Sequence, residues 1–179
     1  TAFSKGIAVN KLHEALYTEL KANGVIGQSF KEVRCSVENN LATLVPKSLF
    51  EESALQEYVR HDIDIHENDF VTYDIIPSVD WVTVYIPFVN VNNLVFDTVG
   101  PFDFEHSATV LLRHLLSTRK SQKESEVFVN IYKDSFDFIV LSSGRLVLFN
   151  HYSFHTPEDF IYYILFALEQ LSISPEEVH

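Results

Sequence analysis

EVFVNIYKDSFDFIVLSSGRLVLFNHYSFHTPEDFIYYILFALEQL, residues Glu126–Leu171, is the stretch that decides the fold. It reads as three strands and a helix joined by tight turns. In Glu126–Tyr132, Val127, Val129 and Ile131 alternate with Phe128, Asn130 and Tyr132. That is a strand period with β-branched residues on one face. Lys133-Asp134-Ser135 is a short polar turn, and Phe136–Ser142 is a second strand with Phe136, Phe138 and Val140 on one side. Ser143-Gly144 turns the chain again, glycine taking positive φ at little cost, and Arg145–Phe154 is the third strand. Connections this short cannot make a parallel crossover, so the three strands form an antiparallel meander.

Thr156-Pro157-Glu158-Asp159 starts a helix running to Leu171. Thr156 suits the N-cap, Pro157 the first helical position and Asp159 the capping-box position. The body, Phe160–Leu168, is an unbroken run of apolar and aromatic residues without the polar stripe of a surface helix. Burial on two sides is therefore expected. The side turned away from the sheet, with Tyr162 and Phe166 one turn apart, is expected to meet the first domain, a second copy or further polypeptide.

Elsewhere the chain alternates in the same mixed way. Helices are predicted over Val9–Ala22, from Ser48 to about Arg60, over Asn90–Val99, and from a Ser107 cap through Ser117. Strands are predicted over Phe30–Val37, Leu41–Val45 (halted by Pro46), Phe70–Ile76, Trp81–Pro87 and Phe102–Glu105. The charged, serine-rich TRKSQKES, Thr118–Ser125, is the best linker.

Composition narrows the function classes. With 46% hydrophobic and 13% aromatic residues, the 179-residue chain supports a substantial core. A net charge of −12 argues against a phosphate-backbone partner, so no nucleic acid is expected. No apolar run reaches the length of a membrane span. A single cysteine excludes an intrachain disulfide and fits a reducing, cytoplasmic compartment.

The order of elements resembles a pair of ribonuclease H-like domains, the actin-like ATPase fold. The β-β-β-α unit is how such a domain begins. Three segments, ENNLATLVPKSLFEE (Glu38–Glu52), VYIPFVNVNN (Val84–Asn93) and LVLFNHYSFHTPEDFIYYILFALEQL (Leu146–Leu171), resemble a bacterial family, domain of unknown function 3822. The resemblance implies a mixed α/β, actin-like fold represented in part. Residues 1–118 would be the later part of a first domain, with an inserted subdomain at 41–87. Residues 119–125 would be the linker, and 126–179 the opening unit of a second domain.

In actin-like ATPases the second domain grips phosphate with an Asp, a glycine-rich turn and then Ser or Thr, because glycine lets backbone N–H groups approach. Asn130 stands in the place of that Asp, and Tyr132-Lys133-Asp134-Ser135 replaces the glycine turn. Asn130 supplies no acid, Tyr132 is bulky and Asp134 repels phosphate, whereas Lys133 and Ser135 remain compatible with it. Asn130, Lys133 and Ser135 are thus degenerate phosphate-turn positions, and a plain hairpin turn is the preferred reading. Asp62, Asp64 and His66 would share a face of an extended segment and are weak metal candidates; a solvated loop is preferred. His151 and His155 have no nucleophile elbow nearby and are assigned structural roles, and Cys35, alternating with valines, a packing role. The leading expectation is a non-catalytic protein with no cofactor, working through a protein partner or self-association. The alternative is a nucleotide-binding protein or weak ATPase taking Mg-ATP in the interdomain cleft.

Overall fold

Leucines at positions 12, 16 and 20 recur at helical spacing, and the chain winds there into a 3-10 turn, Val9–Lys11, followed by helix α1, Leu12–Ala22. Gly24, at φ 66°, ends it by donating its N–H to the Lys21 carbonyl at 3.1 Å. The computed structural model describes residues 9–60, 69–77, 79–118 and 125–177. By packing the chain forms two units, Thr1–Ile76 with Asp80–Val110, and Pro77–Val79 with Leu111–His179.

The first unit holds two small sheets. Strand β1, Arg34–Val37, pairs in parallel with a later strand, Asp103–His106. Val33, Cys35 and Val37 are half-buried and alternate with exposed Arg34 and Ser36, the expected period of two. The ladder starts at Arg34, so the predicted strand loses its first four residues. Burial pushes the Cys35 thiol above its ordinary pKa, as befits a small packing residue.

Between these two strands in the sequence come the three strands of an antiparallel sheet. Strands β2, Ala42–Pro46, β3, Thr72–Ile75, and β4, Trp81–Tyr85, take the order β2-β4-β3. Pro46 does not halt β2 but closes it opposite Trp81; on an edge strand its missing N–H breaks no ladder. Central β4 is almost wholly buried, and Val45, Val82, Val84 and Ile86 pack with Val59 of helix α2, Leu55–Arg60. The expected helix from Ser48 to Arg60 is therefore mostly absent. Two 3-10 turns, Lys47–Leu49 and Glu52–Ala54, precede α2, and Phe50 between them is extended. Tertiary contacts override the helical pattern. The Phe50 ring lies 4.8 Å from that of Tyr73, and the Tyr58 hydroxyl donates to the Leu49 carbonyl (2.7 Å) and accepts from the Glu51 N–H (2.9 Å).

Helix α3, Val89–Val99, ends at Gly100, φ 84°. Strand β5 is the Asp103–His106 segment already paired with β1, and it runs directly into helix α4, Ser107–Thr118. Ser107 is the first residue of α4 rather than its cap. The His106 ring takes that role, its Nδ1 accepting the Ala108 N–H at 3.1 Å.

The second unit contains the predicted meander. Strands β6, Ser125–Ile131, β7, Ser135–Ser142, and β8, Arg145–Ser153, are antiparallel in the order β6-β7-β8. Ser143 (φ 52°) and Gly144 (φ 70°) form the second turn, both left-handed as a two-residue hairpin requires. Helix α5, Pro157–Gln170, begins with the full capping box. Asp159 N–H donates to Thr156 Oγ1 at 3.1 Å, and Asp159 Oδ2 accepts the Thr156 N–H at 3.1 Å. Phe136, Phe138 and Val140 of β7 form a buried cluster with Ala167 and Leu168 of α5, flanked by Val127, Val129, Phe160, Tyr163 and Ile164.

Candidate functional site

The first hairpin of the second unit is where the phosphate-turn residues fall. Register places three polar residues in one row across the sheet: Asn130 on β6 opposite Asp137 on β7, and Asp137 opposite His151 on β8. They occupy the face turned away from α5, because Phe136 and Phe138 on either side of Asp137 point into the α5 core. Asp137 is buried at 5% exposure and fully engaged. Its Oδ2 accepts from the Tyr132 hydroxyl at 2.7 Å and Asn130 Nδ2 at 3.2 Å, and its Oδ1 lies 2.8 Å from His151 Nδ1. A carboxylate oxygen accepts, so the imidazole donates from Nδ1. Asn130 Nδ2 also donates to the Tyr132 hydroxyl at 2.8 Å, so its amide protons are spent inside the cluster.

The three phosphate-turn candidates thus part company. Asn130 belongs to the Asp137 cluster. Lys133 is exposed in the turn, and Ser135 is half-buried at the start of β7, its carbonyl accepting the Tyr132 N–H at 2.8 Å. The turn has no glycine and no residue at positive φ. The Asp134 carbonyl is tied to the Phe154 N–H at 3.0 Å, a link that fastens the hairpin tip to the end of β8. With no residue at positive φ, the turn lacks the backbone geometry that aims successive amides at one anion. Asp137 and His151 were not singled out together from sequence. The signal was there: a lone acid amid the apolar run FDFIVL, and hairpin arithmetic that sets it beside Asn130 and His151.

The α5 candidates lie on open surface. Ile161, Tyr162, Leu165 and Phe166 are 52%, 60%, 47% and 42% exposed, so within the second unit α5 is buried on one side and not on two. Tyr162 and Phe166 stack on each other, ring centroids 5.9 Å apart and planes 18° from parallel.

The family model described as "Protein of unknown function (DUF3822)" matches residues 2–179. The chain belongs to that family. A search of curated proteins gives no match. Among solved structures, a Bacteroides thetaiotaomicron protein described as having an actin-like ATPase fold and unknown function aligns with a TM-score of 0.85 at 22% identity. The alignment covers 96% of this chain and 67% of that one. This member of the family therefore has the mixed α/β, actin-like ATPase fold that its element order suggested.

A second buried polar cluster lies in the first unit. Asp74 Oδ2 accepts the His106 N–H at 2.7 Å and the Thr109 hydroxyl at 2.8 Å, and Oδ1 accepts the Tyr85 hydroxyl at 3.1 Å. Burial, with a smaller push from Glu105, holds the Asp74 carboxyl above the ordinary range against those three donors. Burial also raises the Tyr85 phenol strongly, the Asp74 charge adding to it. Every acceptor position in use faces a donor of the fold, so this cluster joins β3, β4 and the start of α4 rather than presenting groups to a ligand. The metal candidates Asp62, Asp64 and His66 lie outside the described residues. Among the described residues no group of three or more His, Cys, Asp or Glu could hold a metal, and no helix is long and apolar enough to cross a membrane.

Proposed function

We propose that this protein is a non-catalytic member of the actin-like fold that acts through protein–protein contact, with the outer face of α5 as the contact surface. The observation that carries the reading is the exposed stripe Ile161, Tyr162, Leu165 and Phe166, four large apolar side chains on adjacent turns of one helix. A contiguous apolar patch is costly to leave in water and marks an interaction site, whereas scattered exposed leucines mean nothing. The glycine-free hairpin turn at Tyr132–Ser135 supports the same reading, since without a residue at positive φ it lacks the backbone geometry that turns successive amides towards a phosphate. A photocrosslinking amino acid at Tyr162 tests it in cells. A discrete crosslinked adduct, lost when Phe166→Asp is added, is expected; no adduct to any protein overturns the reading.

One observation favours nucleotide binding as a second reading: Lys133 stands exposed in the hairpin turn, two residues before Ser135. Calorimetric titration with Mg-ATP separates the two. We expect no saturable heat at micromolar affinity, about −8 kcal/mol. Saturable binding that Lys133→Ala weakens would favour the nucleotide.

A further inference from the structure

The α5 face also specifies the charge of what it meets, and we propose that its partner is a basic amphipathic helix of another protein. The inference rests on the contact reading above and adds the chemistry of the occupant. From Leu146 to His179 the sequence contains no Lys or Arg, but it contains Glu158, Asp159, Glu169, Glu176 and Glu177. Asp159 is occupied in the capping box. Glu158 lies in the first turn of α5 and Glu169 near its end, so the apolar stripe has an acidic residue towards each end of the helix.

Glu169 is on the wrong end for its own helix. The C-terminus of a helix carries the negative pole of the backbone dipole, which favours cations, and α5 has no basic residue in its last turn. A lysine or arginine brought by a partner supplies that missing charge. A second copy of the chain does not. Antiparallel packing of two α5 faces sets Glu158 against Glu169, and parallel packing sets Glu169 against Glu169, like charges in both cases. A net charge of −12 adds to the repulsion and works equally against anionic lipid or nucleic acid. The Tyr162–Phe166 stack is already formed, so two anchor side chains meet the partner with little rotamer freedom left to lose. The occupant that complements this surface carries apolar residues at i, i+3, i+4 and i+7 with Lys or Arg beside them. The 14 residues of α5 span about 21 Å, so three to four turns of partner helix cover it.

Fluorescence anisotropy with three designed peptides tests the proposal: a helix with a leucine stripe and lysine rim, its twin with glutamate for lysine, and a scrambled form of the lysine peptide. The lysine peptide is expected to bind saturably and more weakly as salt rises. Tyr162→Ser with Phe166→Ser should weaken it roughly tenfold, as loss of a central aromatic pair does, and Glu169→Lys should weaken it by itself. Equal binding of the scrambled peptide means charge alone, and an unchanged Ser double variant means another site; either overturns the proposal. Preference for the glutamate twin overturns the partner's charge while leaving the contact reading intact. A crosslinker at Tyr162 that reacts only within the same polypeptide shows the face covered in cis and also overturns the proposal.

Discussion

Asp74 accepts three hydrogen bonds within the first unit, from His106, Thr109 and Tyr85, and its role is testable by charge. Asp74→Ala leaves the His106 N–H and two hydroxyls without their acceptor and should cost about 2–4 kcal/mol in urea unfolding. Asp74→Asn should cost less, because its amide oxygen can still accept from His106 and Thr109 while its nitrogen can donate to the Tyr85 hydroxyl oxygen. The pH dependence follows from the raised carboxyl. The folded protein keeps this proton where the unfolded chain has released it, so the folded state binds more protons in that window. Stability should therefore fall as pH rises from the ordinary carboxylate range through the folded value, and Asp74→Asn should flatten that slope. Asp159 acts in the opposite sense. The His155 and Thr156 N–H groups hold its carboxyl below the ordinary value, so its stabilisation of the α5 cap is present above that value and lost in acid.

At the scale of the element, α5 has two faces with different consequences. Leu168, 3% exposed, packs against Phe136, Phe138 and Val140, and Leu168→Asp should unfold the second unit by burying an unpaired charge. Phe166→Asp should shift the stability of the isolated protein by no more than about 0.5 kcal/mol, the usual range of a surface change. A melting curve for each variant checks the contrast, and equal losses would mean that the outer face is packed. Thr156→Ala removes the side-chain acceptor of the capping box and should cost about 1 kcal/mol. The cap and the proline at N1 were legible in the sequence because they depend on neighbours in the chain alone. The helix expected from Ser48 was not, since Phe50 leaves helical geometry for an aromatic contact with Tyr73 that no local pattern encodes.

For the whole molecule, the net charge of −12 is a destabilising field spread over an actin-like fold. Between about 0.01 and about 0.15 M salt the Debye length falls from roughly 30 to roughly 8 Å, which screens that repulsion. The melting temperature should rise over this range; a fall would mean that attractive ion pairs outweigh the net field.

The β-β-β-α order, the antiparallel meander, its turns and the α5 cap were set by sequence alone, because each depends on residues a few positions apart: period-two alternation, Gly144 at positive φ, Thr156 three residues before Asp159. Tertiary structure decided what depends on partners far along the chain. It set Asp137 between Asn130 and His151, closed the Asp74 cluster across 32 residues to His106, and let that histidine cap α4 in place of Ser107. It also decided which side of an all-apolar helix is covered. A run such as Phe160–Leu168 has no polar stripe to give its orientation away, so only the packing of Ala167 and Leu168 on the sheet leaves Tyr162 and Phe166 outside.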